Sequence, residues 1–82
     1  MNTAIQCISV QVDKTLRNSL GERVRELRSQ RRWSQEVLAE LSGLHRNYIG
    51  HVERAEVNVG FKSVYSLAVA FELTVSEFLH GI

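Results

Sequence analysis

Proline is absent from the 82 residues, cysteine and tryptophan occur once each, and aromatic residues make up only 7%. No internal repeat or low-complexity run divides the chain. The lone Cys7 excludes an intrachain disulfide framework. Metal chemistry is poorly supplied, because His45, His51 and His80 fall at no ligand spacing and no second cysteine helps them. No apolar run approaches the length of a membrane span, and no charged segment precedes an apolar one as in a signal peptide, so the cytoplasm is the expected location. A chain this short builds one modest core and leaves little room for a buried catalytic cavity. It shows no set of nucleophile, base and orienter, and no phosphate loop. An enzyme is therefore not expected, and neither a cofactor nor a small-molecule ligand is implied.

A 44% hydrophobic and 23% charged composition is that of an ordinary globule, and the formal charge of +1 says little until the charges are placed. Seven basic residues (Lys14, Arg17, Arg23, Arg25, Arg28, Arg31, Arg32) stand against two acids between Lys14 and Arg32. Between Ala55 and Ile82 the balance reverses, with Lys62 against Glu56, Glu72 and Glu77. Such polarity suits a polyanion bound at one end. A solvated, arginine-rich helix face fits equally well.

Residues 1–12 stand apart. Ile8, Val10 and Val12 alternate with polar residues, a strand pattern with nothing to pair with. The segment reads as a flexible N-terminal arm, or as a piece ordered by a partner chain, preceding a domain over 13–82. From Asp13 the period is helical: Leu16, Leu20, Val24 and Leu27 form one stripe, with Asp13, Thr15 or Asn18 as its cap. The helix should end near Arg31 or Arg32. Ser34 then caps a short helix over Gln35–Ser42, with Glu36 in its positive first turn. Gly43 supplies a left-handed exit and Leu44 plugs the turn. A third helix spans about Arg46–Arg54, and Ala55–Gly60 reads as a loop. Phe61, Val64, Leu67, Ala68 and Phe71 mark a fourth helix, while Thr74 with Glu77 is a capping box opening a fifth. The fold class is all-α: a compact five-helix domain.

Gln35–Arg54 then poses a packing problem. Two short helices crossing steeply need a small residue at their contact, supplied by Ala39, and a tight turn, supplied by Gly43. Leu38, Leu44, Ile49 and Val52 point into the shared core, which leaves Arg46, Asn47, Gly50 and His51 free on the third helix. An α-helix fits a B-DNA major groove. Arginine can fork onto guanine O6 and N7, and asparagine can pair with adenine N6 and N7. Gly50 would let the helix lie close to the base edges. Ser34 and Gln35, at a helix N-terminus, favour a phosphate.

The chain resembles the lambda-repressor-like, or xenobiotic-response-element, family of helix-turn-helix regulators. The resemblance covers Leu20 to Leu79. It rests on Leu20–Arg28, Trp33-Ser34-Gln35, Leu38-Ala39, Ser42-Gly43-Leu44, Tyr48-Ile49, Val52-Glu53-Arg54 and Thr74–Leu79. Within that family, Leu44–Ile49, Val52–Arg54 and Asn58-Val59 are most similar to restriction–modification controller proteins, single-domain homodimers that time expression of the endonuclease. The resemblance implies base contacts from Arg46, Asn47 and His51. It implies phosphate contacts from Ser34, Gln35, Arg54 and Asn58, with Tyr48 either beside the DNA backbone or packed at the helix junction. It also implies an ion pair between Arg28 and Glu53 that sets the angle of the third helix. Ala55 and Glu56 depart from the family's usual glycine and basic residue, and Glu56 would repel a phosphate. Gly60 replaces the usual cap of the fourth helix.

Among the remaining residues, Trp33 is expected to pack in the core rather than stack on a nucleotide, and Tyr65 and Phe71 are expected in the core. Phe78, Leu79 and Ile82 are expected to stay exposed and to form, with the fourth helix, a dimer interface. Of the arginines in the first helix, only Arg28 has an expected specific role. The function expected is sequence-specific binding of double-stranded DNA by a homodimeric transcription regulator on a palindromic operator. The alternative is an antitoxin-type protein-binding module that also binds its own promoter, with residues 1–12 clasping a protein partner.

Overall fold

The computed structural model describes residues 3–82, with side chains described from Lys14 onward. Among the described residues every regular element is a helix: α1 (Thr3–Gln30), α2 (Gln35–Ser42), α3 (Arg46–Glu53), α4 (Phe61–Ala70) and α5 (Val75–Phe78). Helix α1 begins earlier than its apolar stripe implied. Its backbone is helical from Thr3, which corrects both the boundary at Asp13 and the extended reading of Ile8, Val10 and Val12. Asp13, Thr15 and Asn18 fall inside this helix rather than at its start. An unpaired strand leaves its backbone groups without partners, whereas a helix satisfies them locally. Met1, Asn2 and the side chains of 3–13, among them those of the expected arm over 1–12, lie outside the described residues.

The remaining boundaries follow from caps. The Thr74 hydroxyl accepts from the Glu77 N–H at 3.0 Å while the Glu77 carboxylate accepts from the Thr74 N–H at 2.9 Å, which completes the capping box of α5. Gly60 precedes α4 with no side-chain cap, as its lack of a side chain dictates. Three helix ends use a device invisible in the composition. Arg32, Ala55 and Glu72 adopt left-handed φ values of 57°, 60° and 59°. At each, the following N–H reaches back to close the helix: Trp33 to Arg28, Glu56 to His51 and Leu73 to Ala68, at 2.9–3.0 Å. These are Schellman closures built on residues other than glycine.

The core gathers Leu20, Val24 and Leu27 of α1, Leu38 of α2, Ile49 and Val52 of α3, and Val64, Leu67, Ala68, Ala70, Phe71 and Phe78 from the C-terminal part. Ala39, Leu44 and Tyr48 pack partly buried against it. Trp33 stacks on Phe71 at a centroid distance of 5.6 Å, and Phe71 on Phe78 at 5.9 Å. Two expectations are corrected. Phe78 is fully buried, because the short α5 folds it beneath the aromatic stack, and Tyr65 is exposed on the outer side of α4. Leu79 is half-buried and Ile82 exposed. Leu16 ends the α1 stripe exposed to solvent.

The arginines of α1 and of the turn that ends it are not the solvated face that was expected. Arg25 donates to the Glu53 carbonyl at the end of α3. Arg31 donates to the Phe71 carbonyl at the end of α4 at 2.9 Å and lies over the Trp33 and Phe71 rings. Arg23 donates to the Glu77 and Phe78 carbonyls of α5, both at 2.9 Å. Each thus meets last-turn carbonyls at the negative end of a helix. The close approach of α1 to α3 requires Gly21, where a Cβ would stand 2.7 Å from the Val52 carbonyl oxygen and 2.8 Å from that of Glu53.

Candidate nucleic-acid interface

Local chemistry builds the α2–α3 unit. The Ser34 hydroxyl accepts from the Val37 N–H at 3.2 Å, starting α2. Gly43 leaves α2 at φ 73°, its N–H on the Ala39 carbonyl at 2.9 Å. His45 caps α3, with Nδ1 accepting from the Asn47 N–H at 3.1 Å. Leu38, Ile49 and Val52 are buried, so the opposite face of α3 is turned to solvent.

On that face Arg46, Asn47, His51 and Arg54 are exposed, and with Gln35 and Gly50 they line one shallow depression. Ser34 sits exposed at the N-terminus of α2, and Tyr48 packs half-buried at the helix junction. Asn58 lies apart. Its Oδ1 accepts from Arg17 at 3.3 Å, and it lines a different hollow with Leu16, Leu20 and Val59.

The Arg28–Glu53 pair forms as the resemblance implied. Nε and Nη2 of Arg28 donate to the two carboxylate oxygens at 2.8 and 3.0 Å, and Gln35 adds a third donor at 3.1 Å. Glu53 is only 4% exposed. Arg28 also donates to the Trp33 carbonyl at 2.9 Å, so one guanidinium ties the end of α1 to α3. The hydrogen bond to Glu53 raises its pKa above the ordinary arginine value, against the opposing effect of burial.

Three features of the face were not legible beforehand. Arg46 is ion-paired with Glu36 across the α2–α3 angle. One oxygen of Glu56 takes His51 Nδ1 at 2.7 Å and Arg54 Nε at 3.1 Å. The space above Gly50 is filled by the Arg54 guanidinium, with Nη1 3.0 Å from where a Cβ would stand. Arg54 therefore leans into the depression beside His51. The carboxylates are held below the ordinary glutamate range. Glu36 is lowered chiefly by its own backbone N–H and then by the charge of Arg46, and Glu56 by the hydrogen bonds from His51 and Arg54. The only sequence signal for these contacts was the departure at Glu56. The Glu36–Arg46 contact depends on the crossing angle of two helices, which no spacing encodes.

Comparison with known proteins agrees with this fold. The helix-turn-helix domain family matches residues 19–80. A control protein of Serratia marcescens, C.SmaI, is 47% identical over 64 residues, covering 78% of this chain and 76% of that protein. The crystal structure of the restriction–modification controller protein C.AhdI from Aeromonas hydrophila superposes with a TM-score of 0.73 at 43% identity, over 77% of this chain and 96% of that one. A hypothetical transcription factor from Neisseria, NHTF, superposes at 0.75 with 33% identity, over 82% and 77% of the two chains.

Proposed function

Because this chain belongs to the helix-turn-helix domain family, we propose that it is a transcription regulator that reads double-stranded DNA with α3. The observation that carries the reading is the register of α3: burial of Ile49 and Val52 turns Arg46, Asn47 and His51 together into one solvent-facing depression. A helix presenting those groups supplies a guanine fork, an adenine partner and a third polar contact to a major groove. Ser34 and Gln35 at the start of α2 contact a phosphate in this reading. Tyr48 packs at the helix junction, and Asn58 meets the DNA backbone from outside the depression in this reading. Similarity to C.SmaI and C.AhdI supports the narrower role, control of restriction–modification genes.

The functional unit in this reading is a homodimer on a palindromic operator, its two α3 helices about 34 Å apart on one face of the duplex. Support comes from α4, where Phe61, Tyr65 and Val69 form an exposed stripe at four-residue spacing, 77%, 56% and 53% exposed. With Phe78 buried, this stripe rather than α5 offers an apolar surface to a second copy. The test is selection of bound sequences from a random duplex pool, followed by Arg46→Ala. The variant loses roughly 1–3 kcal/mol on the selected site and relaxes preference at one base position. Equal loss on every sequence, or a selected pool without a palindrome, refutes the corresponding part of the reading.

A further inference from the structure

The exposed arginines at the two ends of α3, Arg46 in its first turn and Arg54 just beyond its last residue, each stand on a carboxylate of the same chain. Arg46 Nε meets Glu36, whose backbone lies in the first turn of α2. Arg54 Nε meets Glu56, and the same oxygen takes His51 Nδ1. The left-handed Ala55 turns Glu56 back toward α3, with its N–H on the His51 carbonyl at 2.9 Å. These side chains are about half exposed, 57% and 60% for Arg46 and Glu36, 56% and 48% for Arg54 and Glu56. Ion pairs in such surroundings contribute little to stability, so the fold does not depend on them.

Their effect on the charge of the face is larger. Arg23, Arg25, Arg28 and Arg31 are all committed to acceptors within the protein. Arg46 and Arg54 are the arginines of the depression, and Glu36 and Glu56 offset both. Attraction to phosphates supplies essentially all sequence-independent affinity for duplex DNA. A face built for that attraction alone would carry no carboxylates. We propose that Glu36 and Glu56 are specificity-determining residues: each keeps one arginine of the depression from engaging phosphates, so that the face binds through base edges rather than through its charge.

This rests on the DNA-reading role of α3 proposed above. A guanine edge is a neutral acceptor, and the two Nη groups of Arg46 can fork onto it while Nε stays on Glu36. A phosphate instead brings a second negative charge beside the carboxylate. The penalty therefore falls on contacts that carry no sequence information, and the ratio of specific to random binding rises.

The test measures the Kd of the wild type, Glu36→Gln, Glu56→Gln and the double variant on the selected duplex and on a random duplex of equal length, across a salt series. On the random duplex each single variant binds about 3- to 10-fold more tightly, and its logarithmic salt dependence steepens by about one unit, the signature of one added phosphate contact. Affinity for the selected duplex changes less, so the ratio falls, and most in the double variant. Glutamine keeps the size of each side chain, and a merely structural role would leave the salt dependence unmoved. Unchanged random-duplex affinity and unchanged salt dependence, in a protein whose wild type prefers the selected duplex, overturn this inference alone. A wild type with no preferred duplex overturns it together with the reading on which it rests.

Discussion

Arg28→Ala removes the guanidinium that joins the end of α1 to α3, and its cost can be worked from the contacts. Glu53 is 4% exposed and takes two of its three hydrogen bonds from Arg28. Without them a buried carboxylate keeps Gln35 alone, and breaking such a pair costs about 3–5 kcal/mol. The Arg28 side chain is 20% exposed, so water relieves part of this, and the lower end, about 3 kcal/mol, is expected. Loss of its bond to the Trp33 carbonyl adds about 0.5–1.5 kcal/mol. Domains of this size hold roughly 4–12 kcal/mol in total, so the variant keeps only a fraction of the parent's stability. Urea unfolding followed by circular dichroism, with linear extrapolation to water, gives the number. Arg28→Met combined with Glu53→Leu is the control. With no charge left unpaired, this double variant recovers most of the loss and can exceed the parent by about 1–4 kcal/mol. A loss below about 1 kcal/mol for Arg28→Ala, the level of an exposed ion pair, refutes the reasoning. So does a double variant no more stable than the single one.

Gly50→Ala meets only the mobile end of Arg54, so its unfolding midpoint holds or rises, by about 0.5–1 kcal/mol from helix preference, while displacement of Arg54 weakens DNA binding. Paired unfolding and binding titrations check both halves, and unchanged affinity counts against a role for Arg54 over α3. Ala55→Gly relieves a left-handed alanine that costs about 1–2 kcal/mol, offset by about 0.4–1 kcal/mol of added freedom in the unfolded chain, for a net gain of up to about 1.6 kcal/mol. Denaturant unfolding reads that gain, and a loss of stability would contradict the strain assigned there. Glu77 has its pKa lowered, chiefly by the Thr74 N–H it accepts. Its contribution is therefore complete above the ordinary glutamate range and lost as pH falls through the lowered value. Glu77→Gln, which can still complete a capping box, leaves the melting temperature near pH 7 almost unmoved and makes its decline in acid shallower. An unchanged acid decline would show that this carboxylate carries no such linkage.

Features set by short-range chemistry were legible in the chain. A serine, a threonine with glutamate three residues on, and a glycine at a left-handed exit act within one turn of where they stand, so Ser34, Thr74 with Glu77, and Gly43 cap as read. The period of Leu20, Val24 and Leu27 and the placement of Leu38, Ile49 and Val52 likewise follow from helix geometry, and with them the outward register of Arg46 and Asn47. Helix ends at Arg32, Ala55 and Glu72 escaped, because a left-handed residue other than glycine is held there by its surroundings rather than favoured by its own type. The extended reading of Ile8 to Val12 failed for a similar reason: alternation specifies a strand only where a neighbouring strand exists.

The amino-acid sequence by itself determined an all-helical domain, the α2–α3 unit, which residues of α3 face outward, and the Arg28–Glu53 pair through its family resemblance. Tertiary structure alone decided what those outward residues meet. It placed Glu36 and Glu56 against Arg46, His51 and Arg54, turned the arginines of α1 onto the carbonyl ends of α3, α4 and α5, buried Phe78 and exposed Tyr65. The physical reason is the reach of the forces involved. Caps and periodicity act over three or four residues along one helix. A guanidinium chooses its acceptor by distance and direction across elements that are 28 to 55 positions apart, and those are fixed only once the helices have packed.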